Sequence, residues 1–186
     1  MGQYLAIGLA YKVTASIDDL NKKKISNEEL RQEIENTLSF DLKLYSETKT
    51  DKNLSFTIKN QVLETDLIPF LEVFYPKVYN KKDDEECYDL LKQLRSTSSV
   101  KWIDLAREKS NVAFRYDIYA APRCIIFSKD FHPSICLNFD YLMLYLGDGK
   151  ILTEGINDFL DFFKYCIQEA FKEHSIAKSI HLYITG

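Results

Sequence analysis

The sequence predicts an α+β protein in which helices pack on a mixed, mainly antiparallel sheet of about six to seven strands. Three observations predict this class. Residues 4–13 are apolar on both faces, which is typical of a central strand. Short alternating segments occur in pairs, as they do in hairpins. The helical stripes are grouped instead of alternating with single strands, which favours α+β over a parallel α/β sheet.

The first predicted strand carries two apolar faces of different size. Leu5, Ile7 and Leu9 share the face with large side chains, whereas Gly8 and Ala10 belong to the face with small ones. Because small residues leave room above the strand, we expect a helix or another backbone to approach this face closely.

Capping signals and alternation predict the next elements. Ser26 and Glu29 have the spacing of a capping box, and they predict a helix that ends near residue 38. Ser16 predicts a capped turn before it. Alternating apolar residues at 40–44 and 54–58 predict an antiparallel hairpin with one buried face.

Grouped helices are predicted for residues 66–109. Pro69 is expected in the first turn of the first helix, where its missing N–H costs little, and Pro76 is expected to end that helix. Another helix is predicted over 81–95. No segment of flexible composition flanks this region, so we expect one domain over 1–186 with a helical insertion at approximately 66–109.

The second half of the chain is predicted to be mostly strand. Residues 112–118 and 124–127 are predicted strands, separated by a break at Ala121-Pro122. In the strand over 135–146 the apolar positions change parity after Asp140. Because a slip of one residue exchanges the two faces, we expect a bulge or bend there.

A strong amphipathic helix is predicted over 156–173, and a final strand over 180–185. Asp158, Asp161 and Tyr165 lie on the outer face of this helix. They form one candidate contact surface.

The charge distribution bears on the class of partner. The chain has 24 Lys and Arg against 28 Asp and Glu, and no basic block is longer than residues 22–24, so we expect no nucleic-acid binding. Residues 130–173 contain 8 acids and 3 lysines. That segment favours a basic partner, mainly through the rate of association.

The four cysteines and the hydropathy pattern bear on metal binding and location. No pair of cysteines has C-x-x-C spacing, so no zinc site is predicted. Cys124 and Cys136 face each other if the segments form a hairpin, but spacing alone does not establish a disulfide. The first residues lack a charged signal-peptide region and no apolar run approaches ~20 residues, so we expect a cytoplasmic protein that does not bind a membrane.

No catalytic motif is present. The sequence lacks a P-loop, a dinucleotide fingerprint and a nucleophile elbow. His132, His174 and His181 do not have the spacing of metal ligands on one helix. We therefore predict no catalytic residue, no metal and no cofactor.

The strand faces opposite the predicted core are polar and rich in tyrosine. Tyr, Arg and His are frequent in interfaces and ligand pockets, so these positions are candidate binding residues. The alternative is that they form ordinary cross-strand pairs on a solvated or helix-covered face. The candidates are Arg115, Asp117, Tyr119, Asn138, Asp140, Tyr141, Tyr145, His181 and Tyr183.

These observations favour a non-catalytic domain that binds another protein. In general character the acidic, tyrosine-rich chain resembles bacterial immunity and other single-domain inhibitor proteins, although no motif carries the resemblance. One alternative is a small-molecule-binding domain or enzyme with a pocket around Arg115, Asp117, Asp140 and His181. Another is a subunit of a larger assembly.

Overall fold

Six antiparallel strands form one curled sheet in the computed structural model, with helices packed on it, so the predicted α+β class is confirmed. The order is β2-β3-β1-β5-β4, and β6 also pairs with β1. The structure describes residues 4–79, 82, 85–108, 114–126, 134–147, 155–169 and 171–185. The strands are β1 (Tyr4–Ser16), β2 (Tyr45–Lys49), β3 (Asn53–Ile58), β4 (Arg115–Ile126), β5 (Ser134–Leu146) and β6 (Ile180–Thr185).

Strand β1 is the centre of the sheet. One edge of β1 pairs with β5. The other edge pairs with β6 over residues 4–9 and with β3 over residues 12–16. Ile7, Leu9 and Ala10 are fully buried. Both faces of β1 are therefore buried by other parts of the protein. This is why both faces are apolar, as the sequence predicts for a central strand.

The pairing of β1 with β5 is irregular where the apolar pattern changes parity. Ala10 lies opposite Tyr141 and Lys12 lies opposite Asp140, so Tyr11 is an extra residue on β1. The bulge that the sequence predicts near Asp140 of β5 is therefore present, but its extra residue lies on β1. A second shift lies between Ile7 and Gly8.

Strand β4 runs without a break through Pro122, which corrects the prediction of two strands separated at Ala121-Pro122. The pairing with β5 shifts on both sides of Ala120 instead. Since β4 is at the edge of the sheet, a proline without an N–H is compatible with it.

The first two helices, α1 (Ile17–Lys23) and α2 (Asn27–Leu38), begin at the predicted caps. The Ser26 amide donates to Glu29 Oε2 over 2.8 Å, and the Glu29 amide donates to Ser26 Oγ over 3.2 Å. The reciprocal pair satisfies two amides that the helix leaves unbonded.

The predicted strand at 40–44 is wrong. Leu42–Leu44 form one 3₁₀ turn, and β2 begins only at Tyr45. The Asp41 carboxylate accepts from the Lys43 amide over 3.1 Å, which stabilises the turn. Phe40 and Leu42 are buried, so the alternation of apolar and polar residues at 40–44 indicates burial of these side chains and not an extended backbone.

The helical segment α3 begins earlier than predicted. It starts at Asn60–Val62, continues as a π-helix over Leu63–Leu67 and ends as Ile68–Val78. Pro69 follows the π-helical turn, where the regular hydrogen-bond pattern is already interrupted. Pro76 lies inside the helix and does not end it.

Three further α-helices follow: α4 (Glu85–Ser96), α5 (Trp102–Glu108) and α6 (Ile156–Phe163), which continues as a π-helix over Lys164–Glu169. Short 3₁₀ helices also form at Ser99–Lys101 and Ser175–Ser179. The buried Trp102 indole donates to the Thr97 carbonyl over 3.0 Å. Within the described residues, no helix combines the length and apolar character needed to cross a bilayer.

The core lies on both faces of the sheet. On the face with large side chains, Tyr145 of β5 contacts Tyr79 at the end of α3 and stacks on Phe159 of α6. On the opposite face, Phe40 packs against His181 with ring centroids 4.8 Å apart. The sheet is thus enclosed between helices and the segment that follows α2.

Candidate functional site

The candidate residues on β4 divide between the two faces of the sheet. Arg115 and Asp117 share one face, because successive side chains in a strand point to opposite sides. Tyr116 lies between them and points to the other face. Each set makes its own hydrogen bonds.

The first set joins β4 to β6 through one carboxylate. Asp117 accepts from Arg115 Nε over 2.5 Å, from Arg115 Nη2 over 3.2 Å and from the Tyr183 hydroxyl over 2.7 Å. Arg115 Nη2 also donates to Thr185 Oγ1 over 2.9 Å. We call Arg115, Asp117, Tyr183 and Thr185 the Asp117 cluster.

Electrostatics keep both donors of the Asp117 cluster protonated. Burial, followed by the negative charge of Asp117, raises the pKa of Tyr183. The hydrogen bond that Arg115 donates to Asp117 raises the pKa of Arg115. Asp117 thus accepts hydrogen bonds from two protonated donors, an arrangement that connects β4 with β6.

A ring stack lies beside this cluster on the small face of β1. The Tyr141 and Tyr183 rings are parallel to within 6° and their centroids are 4.2 Å apart. Gly8 lies directly beneath, since a Cβ at that position would be 2.7 Å from Tyr183 Cε1. Side-chain rings of the neighbouring strands β5 and β6 therefore cover the small face at Gly8, where the sequence predicts the approach of a helix or another backbone. Tyr141, His181 and Tyr183 are core residues.

The second set lies on the other face of the sheet. The Tyr116 hydroxyl donates to Asp140 Oδ2 over 2.9 Å. The Tyr116 ring packs edge-on against Tyr11, and the Arg107 guanidinium carbon is 4.8 Å from its centroid. Burial and the Asp140 charge raise the pKa of Tyr116. These residues form a polar cluster at the bulge of β1.

A single pocket around Arg115, Asp117, Asp140 and His181 is therefore not formed. Asp140 belongs to the face of Tyr116, whereas Asp117 belongs to the face of Tyr183. Tyr145 packs against α6 on the helix-covered face of the sheet. Asn138 is exposed. The side chain of Tyr119 lies outside the described residues.

The outer face of α6 presents the second predicted surface. Asp158 and Asp161 are exposed. Tyr165 is 74% exposed, which is a high value for such a large side chain. We call Asp158, Asp161 and Tyr165 the α6 surface.

A cavity of about 530 Å³ lies beside β6, and of the candidate residues only His181 lines it. Lys172 and Lys178, from the connection between α6 and β6, line it. The end of α2 also contributes, through Leu38 and Ser39. We call this space the lysine cavity. Its walls come from segments far apart in sequence, so no local motif indicates it.

The structure also answers the open question about the cysteines. Cys124 lies directly opposite Cys136 in the pairing of β4 with β5. Cys136 forms a disulfide. Cys87 is a buried thiol on α4 that is not part of a disulfide.

No group of three or more His, Cys, Asp or Glu side chains is placed to hold a metal ion in the part of the chain that the structure describes. Comparison with protein families, with curated sequences and with solved structures gave no match to this chain.

Proposed function

We propose that this protein binds another protein through the α6 surface, and that the partner is basic where it contacts this surface. The exposed Tyr165 carries the proposal. A tyrosine that is 74% exposed leaves most of its ring in water. Tyrosine is among the residues that contribute most to binding energy when a partner covers them.

Charge around Tyr165 indicates the character of the partner. Asp161 precedes Tyr165 by four residues and Asp158 precedes Asp161 by three, which places all three on one side of the helix. The carboxylates of Asp158 and Asp161 outnumber the exposed cation of Lys164 beside Tyr165, so the rim of this aromatic centre is acidic. An acidic rim attracts a basic surface and accelerates encounter with it.

The inner face of α6 holds this surface in place. Phe159 and Phe163 are buried, and Phe159 stacks on Tyr145 of the central part of the sheet. A helix anchored in this way presents its outer residues in a preorganised arrangement. Binding then requires little ordering of the helix, which lowers its entropic cost.

Affinity capture from cells of the source organism tests the proposal. We expect wild-type protein to retain a partner that the Tyr165→Ala variant does not retain. Val100→Ala is the matched control, because Val100 is also strongly exposed, at 66%, but lies before α5. The proposal fails if wild-type protein retains no partner, or if Tyr165→Ala retains the same partner equally well.

Charge reversal on the α6 surface is expected to slow association with the purified partner. The Asp158→Lys/Asp161→Lys variant should lower the association rate constant by about tenfold or more at low salt, with a smaller change in dissociation. Stopped-flow or surface-binding kinetics at several salt concentrations measure both rate constants.

The control for the total change in charge is Asp104→Lys/Glu108→Lys on α5, where both side chains are exposed. This variant changes the net charge by the same amount at a different place. Equal slowing in both variants would show that overall charge, and not the α6 surface, steers the encounter.

A further inference from the structure

We propose that the lysine cavity binds a small organic anion, with the anionic group of the ligand against Lys172 and Lys178 and an apolar body inside the cavity. This proposal goes beyond the binding of a protein at the α6 surface and does not depend on it. The volume of about 530 Å³ falls within the range of pockets that hold small ligands.

The charge of the cavity favours an anion. Lys172 and Lys178 both line it, and its described lining contains no carboxylate. Neither lysine forms an ion pair with a carboxylate among the residues that the structure describes. Both ammonium groups are thus available to a ligand in a chain whose net charge is −4.

The remaining lining suits an apolar body. Leu38, Phe163 and Ile180 contribute apolar surface to the cavity, and Ala177 leaves room because its side chain is one methyl group. A ligand that combines a ring or chain with one anionic group matches this distribution. An inorganic anion alone would leave the apolar surface uncovered.

The end of α2 determines the orientation of the ligand. The last carbonyl groups of a helix carry partial negative charge, and α2 has no basic residue in its last turn to offset it. Thr37 and Leu38 place this end of the helix at the cavity. The anionic group is therefore directed away from α2 and toward the two lysines, and any hydrogen-bond donor on the ligand lies near α2.

Fluorescence titration with 8-anilinonaphthalene-1-sulfonate tests the proposal, because this probe is a small aromatic anion. We expect saturable binding at one site with a dissociation constant of roughly 1–100 µM. The uncharged analogue N-phenyl-1-naphthylamine lacks the sulfonate and should bind at least about tenfold more weakly. Equal binding of the two probes would overturn the proposal, as would the absence of saturable binding.

Two substitutions locate the probe. Lys172→Gln/Lys178→Gln should weaken binding of the sulfonate by about tenfold or more and leave binding of the neutral analogue unchanged. The control is Lys43→Gln/Lys101→Gln, which removes two lysines outside the cavity. An equal loss in both double variants would show non-specific attraction and would overturn the proposal.

Ala177→Phe tests the cavity without changing its charge, since the added ring occupies the space of the ligand. We expect loss of saturable binding while the near-ultraviolet circular dichroism remains that of folded protein. If Ala177→Phe does not fold, Ala177→Leu provides the same test with a smaller side chain. Tyr165→Ala should bind the probe normally, so failure of this proposal is distinguishable from failure of the protein-binding proposal.

Discussion

The free energy of unfolding is expected to fall steeply above about pH 10, by at least about 4 kcal/mol per pH unit, because the three most deeply buried tyrosines with raised pKa values keep their protons in the folded state. Burial raises the pKa of Tyr45 and Tyr75. Burial and the Asp117 carboxylate raise the pKa of Tyr183. In the unfolded chain all three hydroxyl groups ionise near pH 10.

The sign of the effect follows from the proton balance. Below about pH 10 both the folded and the unfolded chain hold these three protons, so the full stability is present. As the pH rises above that value, the unfolded chain releases protons that the folded chain retains. Each tyrosine then lowers the free energy of unfolding by about 1.4 kcal/mol per pH unit.

Urea unfolding at a series of pH values from about 8 to 11 measures this slope, and absorbance at 295 nm follows the phenolate. We expect a cooperative rise in phenolate together with loss of circular dichroism. Tyr45→Phe should reduce the slope by about 1.4 kcal/mol per pH unit, because it removes one of these protons. Gradual ionisation of buried tyrosines without unfolding would contradict the prediction.

The sequence predicts correctly those elements whose signal is local, or whose apolar pattern shows which faces of the element are buried. The two apolar faces of residues 4–13 predict a central strand, and β1 pairs on both edges. Ser26 and Glu29 predict the start of α2 because the capping box needs only local contacts.

The errors arise where tertiary contacts override a local rule. Phe40 and Leu42 alternate as in a strand, but an Asp41 cap and burial in the core are compatible with a 3₁₀ turn. Pro122 was expected to break β4, but an edge strand tolerates it. A pattern of burial does not distinguish these backbone conformations.

The candidate site was harder to predict because it depends on register. Asp117 and Asp140 are both polar strand residues. They lie on different faces because Asp117 is opposite Tyr141, and Asp140 is the next residue along β5. The lysine cavity requires α2, α6 and β6 to meet. Sequence patterns describe each element but do not give the space between them.

Gly8→Ala is expected to lower the free energy of unfolding by about 2 kcal/mol, because overpacking a close-packed site costs about 1–3 kcal/mol. The added Cβ would lie 2.7 Å from Tyr183 Cε1 and 2.9 Å from the Leu142 carbonyl oxygen. Tyr183 has little freedom to move away, since it stacks on Tyr141 and its hydroxyl is held by Asp117. The carbonyl belongs to the paired backbone of β5.

Urea denaturation of single and double variants distinguishes this steric cause from a general effect of replacing glycine. Gly155→Ser is the control: a Cβ there meets only Asp158, at 3.9 Å, and serine is a favourable residue at the start of α6. We expect it to change stability by less than about 0.5 kcal/mol. In a Tyr183→Leu background the Gly8→Ala penalty should fall by about 1 kcal/mol, because one of the two clashing groups is gone. An unchanged penalty in that background would mean that the tyrosine stack does not determine the need for glycine at this position.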